Sequence, residues 1–523
     1  MKTCRYEIRG GDFERAGAAS ADLKSRLKRI GVEPEAIRRA VIAAYEAEMN
    51  LVIHADKGVM QVELSPGILR IELDDEGPGI PDIEKAMTPG FSTAPPYARA
   101  MGFGAGMGLP NIQRHSDRFQ IQSEVGAGTH LDITVLFQTR LPVGAALHSL
   151  RLEPARCRAC LACVRACPTS ALRVRGQGPV LLEHLCIDCG LCMSACSTGA
   201  IALDVQDALP SDAAAKVLVA PPALLGQFGP GVTADRIAAE LRRLGFAQVR
   251  LTDSWEEALH ETVVREAADA QSLPLISPVC PSVLNLIELR FPSLIPQVAP
   301  YLSPIEAAAC ELGAERFTLV VSCPSQRTAL EARLAVPDEA SLSLAGLRQA
   351  LLPALTARAS DRMEPAAGSA RSRGGPADGT LEVCGIRHVA GVLERIENGS
   401  LADVPVVELY ACEGGCFGGP LTREEPSLAR YRWQRTQRLD SGDARAVPRT
   451  EPLRAREGVR LHPDMATAIA MLRKIDELVR ELPGADCGLC GAPACSAFAE
   501  DVVLERADRA ACVRLTDGKG KQP

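Results

Sequence analysis

The segments CRACLACVRACP at residues 157–168 and CIDCGLCMSAC at residues 186–196 carry the same pattern of cysteines. Each segment has three cysteines at intervals of three residues and a fourth cysteine four residues later. Thiolates at this spacing are typical ligands of [4Fe–4S] clusters, in which one close turn supplies three ligands and the other repeat supplies the fourth. The pattern predicts two crossed ligand sets: Cys157, Cys160, Cys163 and Cys196 for the first cluster, and Cys186, Cys189, Cys192 and Cys167 for the second.

The two repeats resemble the two-cluster module of bacterial ferredoxins, and we place the corresponding domain at residues 148–206. The resemblance implies one-electron transfer between neighbouring redox centres. Pro168 follows the fourth cysteine of the first repeat, whereas Ser197 replaces the equivalent proline of the second, a departure that removes no ligand. Zinc is the alternative metal, although zinc more often binds two separated CxxC pairs.

Four more cysteines follow in three short segments that lie far apart in the sequence. SPVCPS contains Cys280, SCPSQ contains Cys323, and ACEGGCFGGP contains Cys412 and Cys416. Thiolates brought together from distant loops predict a buried cluster site. The alternative is that these cysteines are small buried hydrophobic residues. Around these loops, apolar strands alternate with helices, which predicts a parallel α/β sheet with crossover helices.

This arrangement resembles the catalytic domain of iron-only hydrogenases, where three such loops supply four cysteines to a [4Fe–4S] cluster joined to a diiron centre. Three positions depart from that family. Val279 replaces a cysteine that relays protons, Gln326 replaces a lysine that holds a cyanide of the diiron unit, and Tyr410 replaces a methionine. An apolar side chain cannot relay a proton. We therefore expect a plain cluster, with Cys416 as an ordinary ligand, and no hydrogen turnover.

A last group of cysteines, in DCGLCGAPAC and further on, comprises Cys487, Cys490, Cys495 and Cys512. It resembles the small [4Fe–4S] domain of electron-transfer subunits in Rnf-type and corrinoid-linked proteins, and this resemblance implies a port through which electrons enter or leave. Zinc is again the alternative metal. The remaining cysteines, Cys4, Cys310 and Cys384, have no partners at motif spacing, and we expect them to be ordinary buried thiols.

Upstream of all these groups, VIAAYEAEMNLVIHA at residues 41–55 places Glu46, Asn50 and His54 four residues apart. That spacing predicts a polar stripe along one face of a helix. Two glycine-rich segments follow, DDEGPGI with Asp75 and later GFGAGMG. Such glycines allow the backbone to approach a phosphate and to direct N–H groups at it. The glycines in question are Gly77, Gly79, Gly104, Gly106 and Gly108.

These segments resemble the Glu/Asn helix, adenine box and lid of the ATP-binding fold shared by histidine kinases and anti-sigma-factor serine kinases, above all the switch-protein serine kinases of bacterial stress signalling. The resemblance implies that Asn50 holds Mg²⁺, that Asp75 binds the adenine amino group, and that Thr129 supports the adenine pocket. The lid, Gly104–Gly108, would cover the phosphates, and Glu46 would orient or deprotonate the attacking hydroxyl or water. Whether phosphate passes to a protein serine or to water stays open.

Composition limits the class of protein. The chain has 523 residues, of which 46% are hydrophobic, and this length predicts several domains with separate cores. Its formal charge of -7 and its scattered basic residues indicate no nucleic acid and no anionic membrane surface as partner. We find no apolar stretch long enough to span a membrane and no signal sequence. Nineteen cysteines, mostly in CxxC groups, indicate metal ligation in a reducing cytoplasm rather than disulfides.

The predicted fold class is multidomain, α/β and α+β. It combines a histidine-kinase-type ATPase α/β sandwich, a ferredoxin-like dicluster module, a hydrogenase-like α/β domain and a small C-terminal Fe–S domain. We place these domains at residues 1–138, 148–206, 214–460 and 465–523, with disordered insertions near 359–380 and 422–458.

The leading hypothesis is a cytoplasmic iron–sulfur protein of an anaerobic bacterium, in which the redox state of about four [4Fe–4S] clusters biases a serine-kinase-like domain that binds ATP and Mg²⁺. Its partners would be a redox protein, either a ferredoxin or a reductase, and a serine-bearing regulatory protein. The alternative is an ATP-driven oxidoreductase that delivers low-potential electrons. An active iron-only hydrogenase is the least favoured of the three hypotheses. The sequence does not decide between kinase, ATPase and electron-transfer activity.

Overall fold

The computed structural model describes residues 2–100, 103–137, 148–176, 178–203, 205, 209, 217–229, 232–313, 317–334, 341–356, 379–435, 444–456, 458 and 460–515. The chain forms two compact units. The first unit comprises Met1–Pro142, Glu457–Asp486 and Ala494–Pro523, and the second comprises Val143–Arg456 and Cys487–Pro493.

The first unit is built on an antiparallel sheet of five strands in the order β1-β2-β3-β5-β4. Its strands are β1 (Lys2–Arg9), β2 (Lys57–Ser65), β3 (Ile68–Asp75), β4 (Arg118–Glu124) and β5 (Gly128–Leu136). Its helices are α1 (Ala18–Arg29), α2 (Pro34–His54), α3 (Ile83–Ala86), α4 (Pro96–Ala100), α5 (Gly108–His115), α16 (Met465–Glu481) and α17 (Cys495–Val503).

Apolar and polar residues alternate along the central strands, and this alternation determines which face of the sheet is buried. Every second side chain of β2, β3 and β5 is buried, including those of Met60, Ile71 and Ile133. Helix α2 contacts these strands, and its buried face includes Ala44 and Ala47. Because successive strand residues point to opposite faces, this pattern leaves the other face of the sheet polar.

The second unit begins with two short antiparallel ladders, β6 (Leu150–Leu152) with β9 (Ile201–Leu203), and β7 (Leu172–Arg175) with β8 (Gly178–Leu181). Each cysteine repeat contains one short helix, α6 (Ala162–Ala166) or α7 (Leu191–Ala195). Both helices start after a residue in the left-handed region, Leu161 with φ 61° and Gly190 with φ 74°. The two repeats therefore have the same local backbone path.

Two parallel sheets make up the rest of the second unit. One has the order β11-β10-β13-β14 and the other the order β12-β16-β15. The strands are β10 (Val217–Ala220), β11 (Gln248–Leu251), β12 (Leu275–Ser277), β13 (Phe317–Val321), β14 (Ser341–Ser343), β15 (Thr380–Cys384) and β16 (Val406–Tyr410). The helices are α8 (Ala234–Arg243), α9 (Asp253–Ala267), α10 (Pro281–Arg290), α11 (Pro304–Leu312), α12 (Pro324–Leu334), α13 (Leu344–Thr356), α14 (Ile386–Glu397) and α15 (Pro426–Gln434). Strands β10 and β16 are buried along their whole length, as expected for parallel sheets covered by helices.

Within the predicted disordered insertion at 422–458, the described residues 422–435 are ordered, although their arginine-rich composition predicts disorder. Helix α15 lies in this segment, and its Trp433 is only 3% exposed. The Nη1 of Arg432 donates to the carbonyl of Phe228 at 2.8 Å, so this arginine binds the backbone of another segment. The other predicted insertion, near 359–380, lies outside the described residues except for its last two positions. Among the described helices, none has both the length and the apolar character needed to cross a bilayer.

Candidate iron–sulfur and nucleotide sites

The second ferredoxin ligand set lines a small cavity in the second unit. The side chains that line it include all four cysteines of this set, Cys167, Cys186, Cys189 and Cys192. Backbone N–H groups point at their sulfurs: Asp188 N donates to Cys186 Sγ at 3.4 Å, and Ala171 N donates to Cys167 Sγ at 3.2 Å. Burial raises the pKa of Cys189 to about 12, so bound iron would have to replace its proton. The four thiols are therefore a donor set that fits a cubane cluster.

The first ferredoxin set is also brought together. Burial raises the pKa of Cys163, and the neighbouring thiols Cys196, Cys157 and Cys160 raise it further. Ala159 N donates to Cys157 Sγ at 3.4 Å, and Ala200 N donates to Cys196 Sγ at 3.2 Å. Such N–H···S bonds stabilise thiolates, which suits cluster ligands.

The four cysteines of the hydrogenase-like domain come from three separate elements. Cys280 immediately precedes α10, Cys323 immediately precedes α12, and Cys412 and Cys416 follow β16. Burial raises the pKa of Cys412 well above its ordinary value, and the nearby thiols of Cys323, Cys280 and Cys416 add to this effect. The fold therefore gathers four thiols that lie as many as 136 positions apart in the sequence.

The surroundings of this set do not fit a diiron unit. Val279 and Tyr410 are 6% and 3% exposed and belong to one hydrophobic cluster, against which Cys280 and Cys416 pack. The Oε1 of Gln326 accepts the Ser322 N–H at 2.8 Å, so this side chain is turned back onto the preceding loop. Val279 has no group that could relay a proton, and the Gln326 amide carries no positive charge.

Within the second unit, the second ferredoxin set contacts the hydrogenase-like set. Ser325 N donates to the carbonyl of Asp188 at 3.0 Å. Asp188 is adjacent to the predicted ligand Cys189, and Ser325 lies two positions after the predicted ligand Cys323. Besides burial, the thiol of Cys323 raises the pKa of Cys189, and the thiol of Cys189 raises the pKa of Cys412. The two sites are neighbours.

The nucleotide motifs converge at one end of α2 in the first unit. Asp75 ends β3, and its Oδ1 accepts the N–H groups of Gly77 at 2.9 Å and Thr129 at 3.2 Å. Burial raises the pKa of Asp75, and these hydrogen bonds partly oppose the shift. Gly79 lies against the backbone of Glu124. The loop around Asp75 is thereby held against both β4 and β5.

The lid approaches the polar stripe of α2. Gly104 and Gly106 have φ of 78° and 75°, and Gly90 N donates to the carbonyl of Gly106 at 2.9 Å. A Cβ built on Gly108 would lie 2.9 Å from Asn50 Oδ1, so a side chain there would crowd the predicted Mg²⁺ ligand. Burial lowers the pKa of His54, the last residue of the stripe, and the charge of Asp75 opposes this shift.

Asn111 is a site residue that the sequence motifs do not reveal. It lies on α5, directly after the lid, and its Nδ2 donates to Glu46 Oε1 at 2.7 Å. This hydrogen bond fixes the carboxylate of the predicted base relative to the lid helix. The only sequence signal is a polar residue one turn into a helix that follows a glycine-rich loop.

The cysteines of the C-terminal group divide between the units: Cys487 and Cys490 lie in the second, and Cys495 and Cys512 lie in the first. Cys495 begins α17, and its N–H donates to Asp486 Oδ1 at 2.6 Å. Cluster binding by this group stays a prediction. Among the described residues, no group of three or more His, Cys, Asp and Glu side chains is arranged to hold a single metal ion. Cys310, expected to be buried, is exposed because it lies on the outward face of α11.

Four protein-family models match successive parts of the chain. They are the Histidine kinase-like ATPase domain at residues 11–135, the 4Fe-4S dicluster domain at 156–201, the Iron only hydrogenase large subunit, C-terminal domain at 215–313, and an Fe-S cluster family at 482–514. These matches follow the order of the sites along the chain.

Curated relatives match the first domain. The Serine/threonine-protein kinase RsbT of Bacillus subtilis is 37% identical over 97 residues, which cover 18% of this chain and 67% of that protein. The Anti-sigma F factor of Geobacillus stearothermophilus is 34% identical over 98 residues, which cover 19% of this chain and 60% of that protein. The chain thus spans only three-fifths of the length of the anti-sigma factor.

Through this domain the chain belongs to the histidine kinase-like ATPase family of anti-sigma-factor kinases. More particularly, it is an iron–sulfur protein in which this domain is joined to a dicluster ferredoxin module, a hydrogenase-like domain and a further Fe–S domain.

The solved structures that match share a lower sequence identity with this chain than these relatives do. A variant of [FeFe]-hydrogenase from Chlamydomonas reinhardtii is 16% identical, covers 47% of this chain and 88% of its own, and has a TM-score of 0.31. A mycobacterial sensor histidine kinase, MprB, is 16% identical and has a TM-score of 0.17. The match covers 26% of this chain and 100% of MprB.

Proposed function

We propose that the redox state of the clusters controls how the ATP-binding domain binds nucleotide and transfers phosphate. One observation carries this proposal. Helix α17, which begins at the predicted cluster ligand Cys495, forms an ion pair with α1 of the ATP-binding domain within the first unit. A change at the cluster can therefore act on the nucleotide site through direct contacts.

The contacts between the C-terminal helices and α1 are partly buried. Arg29 on α1 pairs with Glu500 on α17, and these side chains are 17% and 12% exposed. Arg26 pairs with Asp476 of α16 at 2.8 Å. The carbonyl of Arg29 also accepts the N–H of Leu461 at 2.9 Å. Because charges removed from water interact more strongly than surface pairs, displacement of α17 would disturb α1.

Helix α1 is held in turn by the helix that carries the proposed catalytic residues. Glu48 of α2 is 2% exposed, and its carboxylate accepts N–H groups of Gly17, Ala19 and Ser20 at 3.0 to 3.2 Å. A carboxylate at a helix N-terminus also interacts favourably with the helix dipole. Since Glu48 lies two residues from both Glu46 and Asn50, a shift of α1 would reach the nucleotide site.

For phosphate transfer, we assign Glu46 as the group that accepts the proton of the attacking hydroxyl, and Asn50 as the ligand of Mg²⁺. Asp75 and Thr129 would bind the adenine, and the lid Gly104–Gly108 would enclose the phosphates. ATP with Mg²⁺ is the cofactor pair. A relative of the first domain is a serine/threonine-protein kinase, so the acceptor that we propose is a serine or threonine of a regulatory protein.

The [4Fe–4S] clusters would supply one-electron chemistry, and the chain's own cysteines and N–H groups would hold them and set their potentials. We place the protein in the cytoplasm of an anaerobe, with a ferredoxin or a reductase as its electron-transfer partner. Hydrogen turnover is the least favoured activity because Val279, Gln326 and Tyr410 do not fit a diiron centre.

A second candidate function is ATP-driven electron transfer to a low-potential acceptor. The contact between Asp188 and Ser325 favours it, because this contact joins two predicted cluster sites into a path longer than a simple sensor requires. ATP turnover that rises only when reductant and acceptor are both present would support this candidate. Equal turnover with and without electron flow would exclude it.

The test of the leading proposal is the affinity for a fluorescent ATP analogue with Mg²⁺, measured anaerobically before and after reduction by dithionite. We expect a change of about tenfold, the size of a typical coupling between sites. By reciprocity, saturating nucleotide should shift the midpoint potential of a cluster. Glu500→Ala removes the pair between α17 and Arg29 and should reduce this response to reduction. Asp22→Asn is its matched control, because it removes a pair of α1 but leaves both pairs to the C-terminal helices in place. An affinity that does not change on reduction would contradict redox control.

A further inference from the structure

A pair of aromatic rings lies at the start of the lid. Phe103 immediately precedes Gly104, and its ring stacks on that of Phe13 with 5.8 Å between the centroids and 25° between the planes. Both side chains are half-buried, and both belong to the first unit. Stacked rings at this separation attract each other beyond the effect of the area that they bury. The stack therefore joins the lid to a segment far from it in the sequence.

The segment that carries Phe13 is fixed to α2. It is the loop that joins β1 to α1. Gly11 N donates to the carbonyl of Val52 on α2 at 2.8 Å. A Cβ built on Gly10 would lie 1.7 Å from the carbonyl oxygen of Ala55, so the loop lies directly against the C-terminal end of α2. Because α2 also carries the proposed Mg²⁺ ligand, this loop gives the ring of Phe13 a fixed position relative to the nucleotide site.

The lid gains most from an anchor because its own backbone is adaptable. Gly104 and Gly106 have positive φ, a region that glycine reaches without strain, and such residues lose much conformational freedom when they are ordered. The end of the lid is placed by the contact between Gly108 and Asn50. Phe103 places its start. A segment that is held at both ends covers a ligand at a lower entropic cost.

We propose that Phe13 is a positioning residue of the nucleotide site, which holds the lid over the phosphates through its stack on Phe103. The inference rests on the proposed function, because it requires ATP at this site. Phe13 itself does not touch the nucleotide and acts only through the lid. Loss of its ring therefore weakens the hold on the phosphates and leaves the adenine pocket at Asp75 and Thr129 unchanged.

The test is the affinity for Mg²⁺-ATP and, separately, for adenosine, measured by isothermal titration on the full chain purified anaerobically. Phe13→Ala should weaken ATP binding about fivefold, the effect of one aromatic pair. Adenosine binding should be unchanged, because adenosine has no phosphates for the lid to cover. Phe13→Tyr, which keeps the ring, should restore the ATP affinity. Phe119→Ala is the matched control, because it removes a half-buried phenylalanine of the same domain that is not part of the stack.

Phe103→Ala tests the same contact from the lid. It should weaken ATP binding as much as Phe13→Ala does, and the double variant should bind ATP no more weakly than either single variant, because each change removes the same stack. Effects that add in the double variant, or an unchanged ATP affinity in Phe13→Ala, would overturn the inference and leave the proposed ATP site in place.

Two further outcomes separate this inference from the proposal on which it rests. If Phe13→Ala weakens ATP and adenosine binding equally, Phe13 maintains the fold of the domain and does not position the lid. If the unmodified protein binds neither ATP nor adenosine, the proposed nucleotide site is wrong, and the role of Phe13 falls with it.

Discussion

The nucleotide site and the hydrogenase-like site are both recognised by motifs, but they differ in what surrounds those motifs. Around the nucleotide site, polar partners support the motif residues: Asn111 donates to Glu46, and Thr129 donates to Asp75. Around Cys280 and Cys416, the apolar Val279 and the buried Tyr410 occupy positions that serve diiron chemistry in the family that this domain resembles. A predicted ligand set can thus be present where its neighbours differ from those of the family, and such neighbours determine the reactivity of a bound cofactor.

The largest effect that we expect comes from removing the proposed Mg²⁺ ligand. Asn50→Ala should abolish Mg²⁺-dependent ATP binding, because the side chain that faces the lid at Gly108 is lost. The cluster content should be unchanged, which iron and sulfide analysis would show. Isothermal titration with Mg²⁺-ATP provides the measurement. Loss of iron in this variant would mean that the nucleotide site and the clusters do not fold independently.

At the hydrogenase-like site, Cys416→Ser should change only one cluster. Iron content should fall by at most about four atoms, because each of the other clusters takes its ligands from other segments. The unmodified protein should show no carbonyl or cyanide infrared bands. Such bands in protein from its native host would contradict our interpretation of Val279, Gln326 and Tyr410.

A smaller effect should follow from removing the support of the proposed base. Asn111→Ala should lower ATP turnover about tenfold, since a hydrogen bond to a charged group is lost, and should leave nucleotide affinity nearly unchanged. Gln113→Ala removes an exposed amide from the same helix and should behave like the unmodified protein. Equal turnover in both variants would show that Asn111 does not act on Glu46.

The smallest effect concerns restoring family residues at the hydrogenase-like site. The double variant Val279→Cys, Gln326→Lys should evolve no hydrogen from reduced viologen, because a relay and a cation are of no use without a diiron unit. Circular dichroism would check its fold, since Val279 is buried. Hydrogen evolution without a maturation system would show that the ligand set is less altered than we infer.

The sequence predicts most features that depend on residues close together in the chain. The crossed cysteine sets follow from the spacing in two short repeats, and the helix with Glu46, Asn50 and His54 follows from a period of four. The hydrogen bond from Asn111 to Glu46 was not predictable, because its partners are 65 positions apart and no motif joins them. The order in residues 426–434 was missed as well, because arginine-rich composition does not reveal that Trp433 would be buried.

By itself the sequence predicts which residues bind metal and nucleotide, since ligand spacing and glycine placement are properties of a few neighbouring residues. Only the tertiary structure decided that Val279 and Tyr410 pack beside the hydrogenase-like cysteines, that Arg29 pairs with Glu500, and that Gly491 lies against Val174. Each of these contacts joins segments that are distant in the chain. Burial and long-range hydrogen bonding depend on how whole elements pack, and residue spacing does not encode that packing.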